Sequence, residues 1–144
     1  MPVGYAPAYT GTQGTITVPG AVTSGVVRAC AAVALTNDGT QATLVECGST
    51  HCGDRFFGFA CRGDATPSGS SIAVVTSRGS NVTPIVEGGI PLVPNGRIYL
   101  SATPGEVTQT PPSLGTRSTF IQVGIAVTET DMVLITDARF GVSG

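Results

Sequence analysis

Gly25-Val26-Val27-Arg28-Ala29-Cys30-Ala31-Ala32-Val33-Ala34-Leu35 runs straight into Thr36-Asn37-Asp38-Gly39-Thr40 and then Thr43-Leu44-Val45-Glu46-Cys47. This stretch decides between helix and sheet. Its first part is the one passable helix candidate, since alanine is the best helix former. The residues after Leu35 argue the other way. Asp-Gly is a preferred two-residue hairpin turn, because both central positions need positive φ. An apolar run returns directly after it. The segment therefore reads as a β-hairpin, with 25–35 and 43–47 as its strands.

Working outward, similar runs recur along the chain. Arg55–Ala60, Ser71–Thr76, Arg97–Ser101, Phe120–Val127 and Met132–Ile135 are rich in β-branched and aromatic residues. They are separated by Gly, Pro and Ser clusters, which is the signature of a sandwich or barrel. Thr83–Val86 and Ile90–Val93 contain proline and suit edge strands or loops. Thr103-Pro104-Gly105 reads as a tight turn that Glu106–Gln109 leaves. Gly58-Phe59-Ala60 recurs as Gly124-Ile125-Ala126, and the Gly39 turn as the Gly105 turn, each 66 residues on (58 to 124, 39 to 105). The expected fold is all-β, a compact barrel or sandwich built from hairpins. It allows two pseudo-repeats of a hairpin-plus-strand unit.

Residues 1–20 hold Pro2, Pro7, Pro19 and four glycines with almost no charge, which excludes a helix. They read as an extended N-terminal arm, leaving 21–144 as a single β domain. Tyr5 and Tyr9 are the candidate arm anchors for a partner subunit, since Tyr offers large contact area with few rotors and a polar tip. The start of the chain lacks the basic and apolar regions of a secretory signal. Synthesis and retention in the cytoplasm, or release by lysis, is the expectation.

Only 11% of the 144 residues are charged, the net charge is −2, and the mean hydropathy is +0.29. Globular domains usually carry about 25% charged residues. Such a surface is expected to be covered by copies of itself or by a partner, because soluble monomers seldom expose large apolar patches. The seven positive charges are all Arg and stand singly from Arg28 to Arg139, which offers nothing to track a phosphate backbone. No apolar run is long enough for a membrane-spanning helix. Neither nucleic acid nor membrane is an expected partner.

Cys30, Cys47, Cys52 and Cys61 all lie in the first half and are disulfide candidates. A two-residue turn at Asp38-Gly39 opposes Asn37 to Thr40. Counting outward from that pair opposes Cys30 to Cys47 at a non-hydrogen-bonded position, where side chains approach closely. Cys52 and Cys61 then form the second pair. The other connectivities, free buried thiols, and a zinc site using Cys47, His51, Cys52 and Cys61 stay open beside it. The Cys47-x4-Cys52 spacing is wider than a usual zinc knuckle. No metal or other cofactor is expected.

No catalytic set emerges. His51 is the only histidine, and Ser49 and Asp54 share its loop, an arrangement that seldom gives triad geometry. Glu106, Glu129, Asp131 and Asp137 stand alone near turns, where acids are usually solvated. Arg62-Gly63-Asp64 is too short a motif to carry a role, and Asn81-Val82-Thr83 has no meaning without secretion. The chain is not expected to be an enzyme.

Gly88-Gly89-Ile90-Pro91, Gly96 to Thr108, Pro111-Pro112 and Gln122-Val123-Gly124-Ile125-Ala126-Val127 together resemble the capsid decoration, or cement, proteins of tailed bacteriophages. The resemblance covers about the last 60 residues well and the first half loosely; the cysteines and the arm lie outside it. It implies a virion structural protein on the outer capsid surface, made in the host cytoplasm. It further implies a homotrimer that clamps neighbouring major capsid protein subunits. The alternative is a phage tail or fibre module that binds a host-surface receptor, although a glycan reader would present exposed aromatics and this chain has no Trp and three Tyr.

Overall fold

The computed structural model describes residues 15–16, 21–49, 55–60, 65–110 and 119–142. Among them the chain is built of strands: β1 (Thr15–Ile16), β2 (Val22–Thr23), β3 (Ala32–Asn37), β4 (Ala42–Glu46), β5 (Phe56–Ala60), β6 (Val74–Val75), β7 (Asn81–Val82), β8 (Arg97–Leu100), β9 (Val107–Thr108), β10 (Thr119–Ala126) and β11 (Met132–Val142). A short 3-10 turn lies at Glu87–Gly89. The strands form two sheets, ordered β1-β6-β5-β3-β4-β2 and β7-β11-β10-β8-β9. The fold is all-β, two sheets packed on a shared core.

Those two orders are the same order. β1 and β7 open the two units and pair with their last strands: Thr15 and Ile16 face Val75 and Val74 as Asn81 and Val82 face Val133 and Met132. Next comes a hairpin, β3-β4 or β8-β9, and then a strand that returns beside the hairpin's first strand. Val33 faces Gly58 as Ile98 faces Gly124. In both units a bulge follows, with Ala34 then facing Phe56 and Tyr99 facing Gln122. Even the parallel partner of the hairpin is repeated, Thr23 beside Leu44 and Val86 beside Val107. Loop bonds match as well. The Val27 amide donates to the Thr66 carbonyl at 2.9 Å and Leu92 to Glu129 at 2.8 Å, while Ala60 donates to Ala31 at 2.8 Å and Ala126 to Gly96 at 2.9 Å. The Gly-apolar-Ala echo in the sequence marks a structural repeat that spans the whole domain.

The repeats are stacked head to tail. In a face-to-face pair, Val33 and its equivalent Ile98 would share one core. They do not. Val33 packs with Ala21, Val27, Leu44, Ala60 and Val74, beneath the first unit's own covering segment. Ile98 packs with Leu100, Val107, Val123 and Met132, and this cluster also contains Ala32, Ala34, Phe59 and Val75 from the other face of the first sheet. The first sheet is therefore apolar on both faces, which is why its strands read as near-continuous hydrophobic runs rather than alternating ones.

Gly58 and Gly124 show why the repeated motif begins with glycine. A Cβ at Gly58 would strike the Val75 carbonyl and the Val74 side chain; at Gly124 it would strike the Val133 carbonyl and Met132. Neighbouring backbone approaches too closely there for any side chain.

Four expectations are corrected. The 25–35 run is a strand only from Ala32, since Arg28–Ala31 forms a turn closed by a 3.2 Å bond and Cys30 has φ +63°. The turn after it is centred one residue later than Asp38-Gly39. Asn37 faces Ala42 and Thr36 faces Thr43, because the Asp38 carboxylate accepts from the Thr40 and Gln41 amides at 2.9 and 3.0 Å and so closes a later loop. The 71–76 run contributes only Val74–Val75 as strand. Finally, Thr15–Ile16 pairs with β6, so the sheet begins inside the span expected to be an arm.

Candidate interaction surface

The outer face of the second sheet is built by strict alternation on β8, where Ile98 and Leu100 point into the core while Arg97 is exposed and Tyr99 half-buried. The register sets Ile125 beside Arg97 and Val133, and Gln122 beside Tyr99. The result is a mixed surface: Tyr99, Ile125 and Val133 give apolar area, and Arg97, Thr108 and Gln122 surround it. The equivalent face of the first sheet carries Ala34, Phe59 and Val75 at the same three apolar positions, all buried against the second unit. The same three positions are thus buried in the first unit and half-buried in the second.

The converse holds for the other face. Leu35 and Phe57 on the first unit are only half-buried, whereas their equivalents Leu100 and Val123 are wholly buried. The first unit's covered face is therefore incompletely covered, and the segment lying over it exposes Val26.

A separate apolar patch lies at one end of the second unit. Ile90, Val93 and Val127 are 62%, 67% and 49% exposed. Pro91 and Pro94 keep this loop out of any sheet, and side chains brace it instead. The Val93 amide donates to Gln109 Oε1 at 2.7 Å, while Gln109 Nε2 donates back to the Val93 carbonyl at 2.9 Å. Beside it, Thr83, Pro84, Val86, Ile90 and Glu129 line a shallow groove of about 310 Å³. Thr83 Oγ1 donates to Asp131 at 2.7 Å along its wall.

The seam between the repeats is pinned by Arg28. Its Nη2 meets Glu46 Oε1 at 3.0 Å, its Nη1 meets Glu106 Oε2 at 3.2 Å, and Nη2 also donates to the Pro104 carbonyl at 2.8 Å. The Glu46 carboxylate also accepts from the Arg28 amide at 2.7 Å. Hydrogen bonding to Glu46 and then Glu106 raises the guanidinium above its ordinary pKa despite partial burial, so the charge is permanent. The turn at Gly105 docks into the first unit, donating to the Cys47 carbonyl at 2.8 Å and accepting from Ala32 at 3.1 Å. Glu106 is thus a seam residue rather than a solvated turn acid. No family model, curated protein or solved structure matches the chain.

The sequence-derived site residues fare unevenly. Tyr5, Tyr9, Cys52 and Cys61 lie outside the described residues, as do His51, Asp54 and Arg62-Gly63-Asp64. Cys30 sits in the turn before β3, and buried Cys47 faces Ala32, to whose carbonyl its amide donates at 3.0 Å. The register that would oppose these two cysteines is not formed, and they are not joined to each other. Ser49 is buried at the second unit's edge, its amide donating to the Ser101 carbonyl at 2.8 Å. Among the described residues no three His, Cys, Asp or Glu gather to hold a metal. None of their helices is long and apolar enough to cross a membrane.

Sequence reasoning missed Tyr99, Ile125 and Val133. The signal was available in the alternation of Arg97-Ile98-Tyr99-Leu100, which marks Tyr99 as facing away from the core.

Proposed function

We propose that this chain is a capsid decoration protein of a tailed bacteriophage, a non-enzymatic homotrimer that binds the outer capsid surface and clamps neighbouring major capsid subunits. The observation that carries the reading is the resemblance of Gly88–Thr108 and Gln122–Val127 to that family. These residues coincide with the second repeat's hairpin, its returning strand and its exposed loop. The reading draws further support from the surface. A chain with 11% charged residues that exposes Ile90, Val93 and Val127 together gains by burying them. A standard interface of roughly 1,200–2,000 Å² suffices for specific binding. Repetition within an oligomer multiplies a modest affinity through effective concentration.

The test is co-sedimentation of the purified protein with undecorated heads of the phage whose genome encodes it. Saturable binding, lost on removing residues 1–14 or on changing Ile90 and Val93 together to Ser, is the expected result. Binding to host cells but not to heads would turn the assignment to a tail or fibre module.

A further inference from the structure

We infer that the segment ahead of β1, residues 1–14, is the occupant of the apolar patch at Ile90, Val93 and Val127 and of the groove beside it, docking there on its own chain through Tyr5 and Tyr9. The inference concerns the free protein and goes beyond the decoration reading without resting on it.

The fold itself does not ask for apolar side chains at the patch. The amides of Val27 and Leu92 make matching bonds, and so do the carbonyls of Ala31 and Gly96. The first unit's equivalents of Ile90 and Val93 are therefore Gly25 and Arg28. Positions free to be Gly and Arg in one repeat carry large aliphatic groups in the other, at 62% and 67% exposure. Clustered exposed apolar residues of this kind mark a contact. The adjoining groove, of about 310 Å³, is lined by Val86 and Pro91, with Glu129 as its one charged residue.

Residues 1–14 have the matching chemistry. They contain no Asp, Glu, Lys or Arg, and Val3, Tyr5, Pro7 and Tyr9 alternate with Gly4, Ala6 and Ala8. In an extended chain alternate side chains share one side, so all the bulk gathers on one face of this segment. That is the pattern of a strand with one buried face. Pro2 and Pro7 lack an N–H for a sheet ladder, which suits a groove that grips side chains instead. The two phenolic hydroxyls supply donors for the Glu129 carboxylate.

Strand direction and chain length bring the two together. β1 runs antiparallel to β6, with Thr15 facing Val75. The chain ahead of Thr15 therefore sets out alongside the segment that follows Val75. That segment reaches Thr83, on the groove wall, eight residues later. Eight Cα steps cover at most about 30 Å. The turn closed by the Ser80 amide on the Ser77 carbonyl at 3.1 Å shortens the path. Ten extended residues carry Tyr5 about 34 Å from Thr15. A second copy is not needed to supply the strap.

Two measurements on the full chain test this. Limited chymotrypsin cuts after Tyr5 and Tyr9, and cleavage of a docked segment follows the fraction undocked. The double variant Ile90→Asp, Val93→Asp is expected to lose the segment about tenfold faster than wild type, equivalent to about 1.4 kcal/mol of contact. Both positions are exposed; should circular dichroism show unfolding, Val93→Ser alone takes its place. In the second measurement, the photo-cross-linker p-benzoylphenylalanine replaces Ile90. Irradiation is expected to join position 90 to residues 1–14 of the same chain, as read by mass spectrometry.

Equal cleavage rates in wild type and variant would overturn the inference. So would cross-links from position 90 that reach only other segments, or that join two chains. Neither measurement uses phage heads, so failure here leaves the decoration reading standing. Loss of head binding with the strap intact sinks that reading alone.

Discussion

Cys30 and Asn95 are the non-glycine residues with positive φ among those described, at 63° and 69°, and they occupy the same point of the two repeats. Each ends the turn that swings the covering segment into its unit's first core strand. The closing bonds match, Ala31 to the Arg28 carbonyl at 3.2 Å and Gly96 to the Val93 carbonyl at 3.0 Å. Two unlike side chains share one backbone conformation because the fold, rather than the residue, imposes it.

That conformation has a measurable cost. Asn tolerates the left-handed region and β-branched residues do not, so Asn95→Val is expected to destabilise by about 1–2 kcal/mol. Asn95→Gly is expected to be neutral or slightly stabilising. Urea unfolding of the three proteins checks the ordering, and equal midpoints for Val and Gly would contradict it.

Gly58→Ala and Gly124→Ala should each be severe, because the added methyl meets a carbonyl of the adjacent strand and not merely a movable side chain. Overpacking of this kind costs about 3 kcal/mol at the upper end of its usual range. The two substitutions should also be similar in size, as equivalents in a repeat. Thermal melts compare them directly, and a large difference between the two would contradict their equivalence.

Arg28→Met removes the ion pairs and the carbonyl bond at the seam. The side chain is 42% exposed, so water and salt discount its charges heavily. A loss of about 1 kcal/mol is expected. The difference from wild type should shrink in high salt, and a difference indifferent to salt would mean the residue acts through packing alone.

Asp38 accepts hydrogen bonds from the Thr40 amide and hydroxyl and the Gln41 amide, which hold its pKa below the ordinary carboxylate value. A carboxylate depressed in the folded state contributes stability above its unfolded pKa and loses it as pH falls through the folded value. The melting temperature of wild type should therefore fall more steeply below about pH 4 than that of Asp38→Asn. Parallel acid limbs would remove Asp38 from the account.

Much of the strand inventory was legible in the sequence. Arg97–Leu100, Phe56–Ala60 and the Pro104-Gly105 turn carry their own local signals, in β-branched runs punctuated by turn residues. The repeat was visible only at Gly58 and Gly124, where steric closeness leaves no residue choice. Elsewhere the two copies share conformation without sharing residues, as Cys30 and Asn95 do. The hairpin register misled because two turns a single residue apart fit Asp38-Gly39-Thr40, and side-chain capping by Asp38 selects the later one.

By itself the sequence determined the class of the fold, the positions of most strands and the sparse charge. These are local or compositional properties, expressed within a few residues of chain. Only the tertiary structure decided that the repeats stack in the same direction, that Glu106 closes a seam with Arg28, and that Tyr99, Ile125 and Val133 share one face of the second sheet. Each depends on which side of a sheet meets which neighbour, and a strand pattern that is apolar on both sides cannot specify that alone.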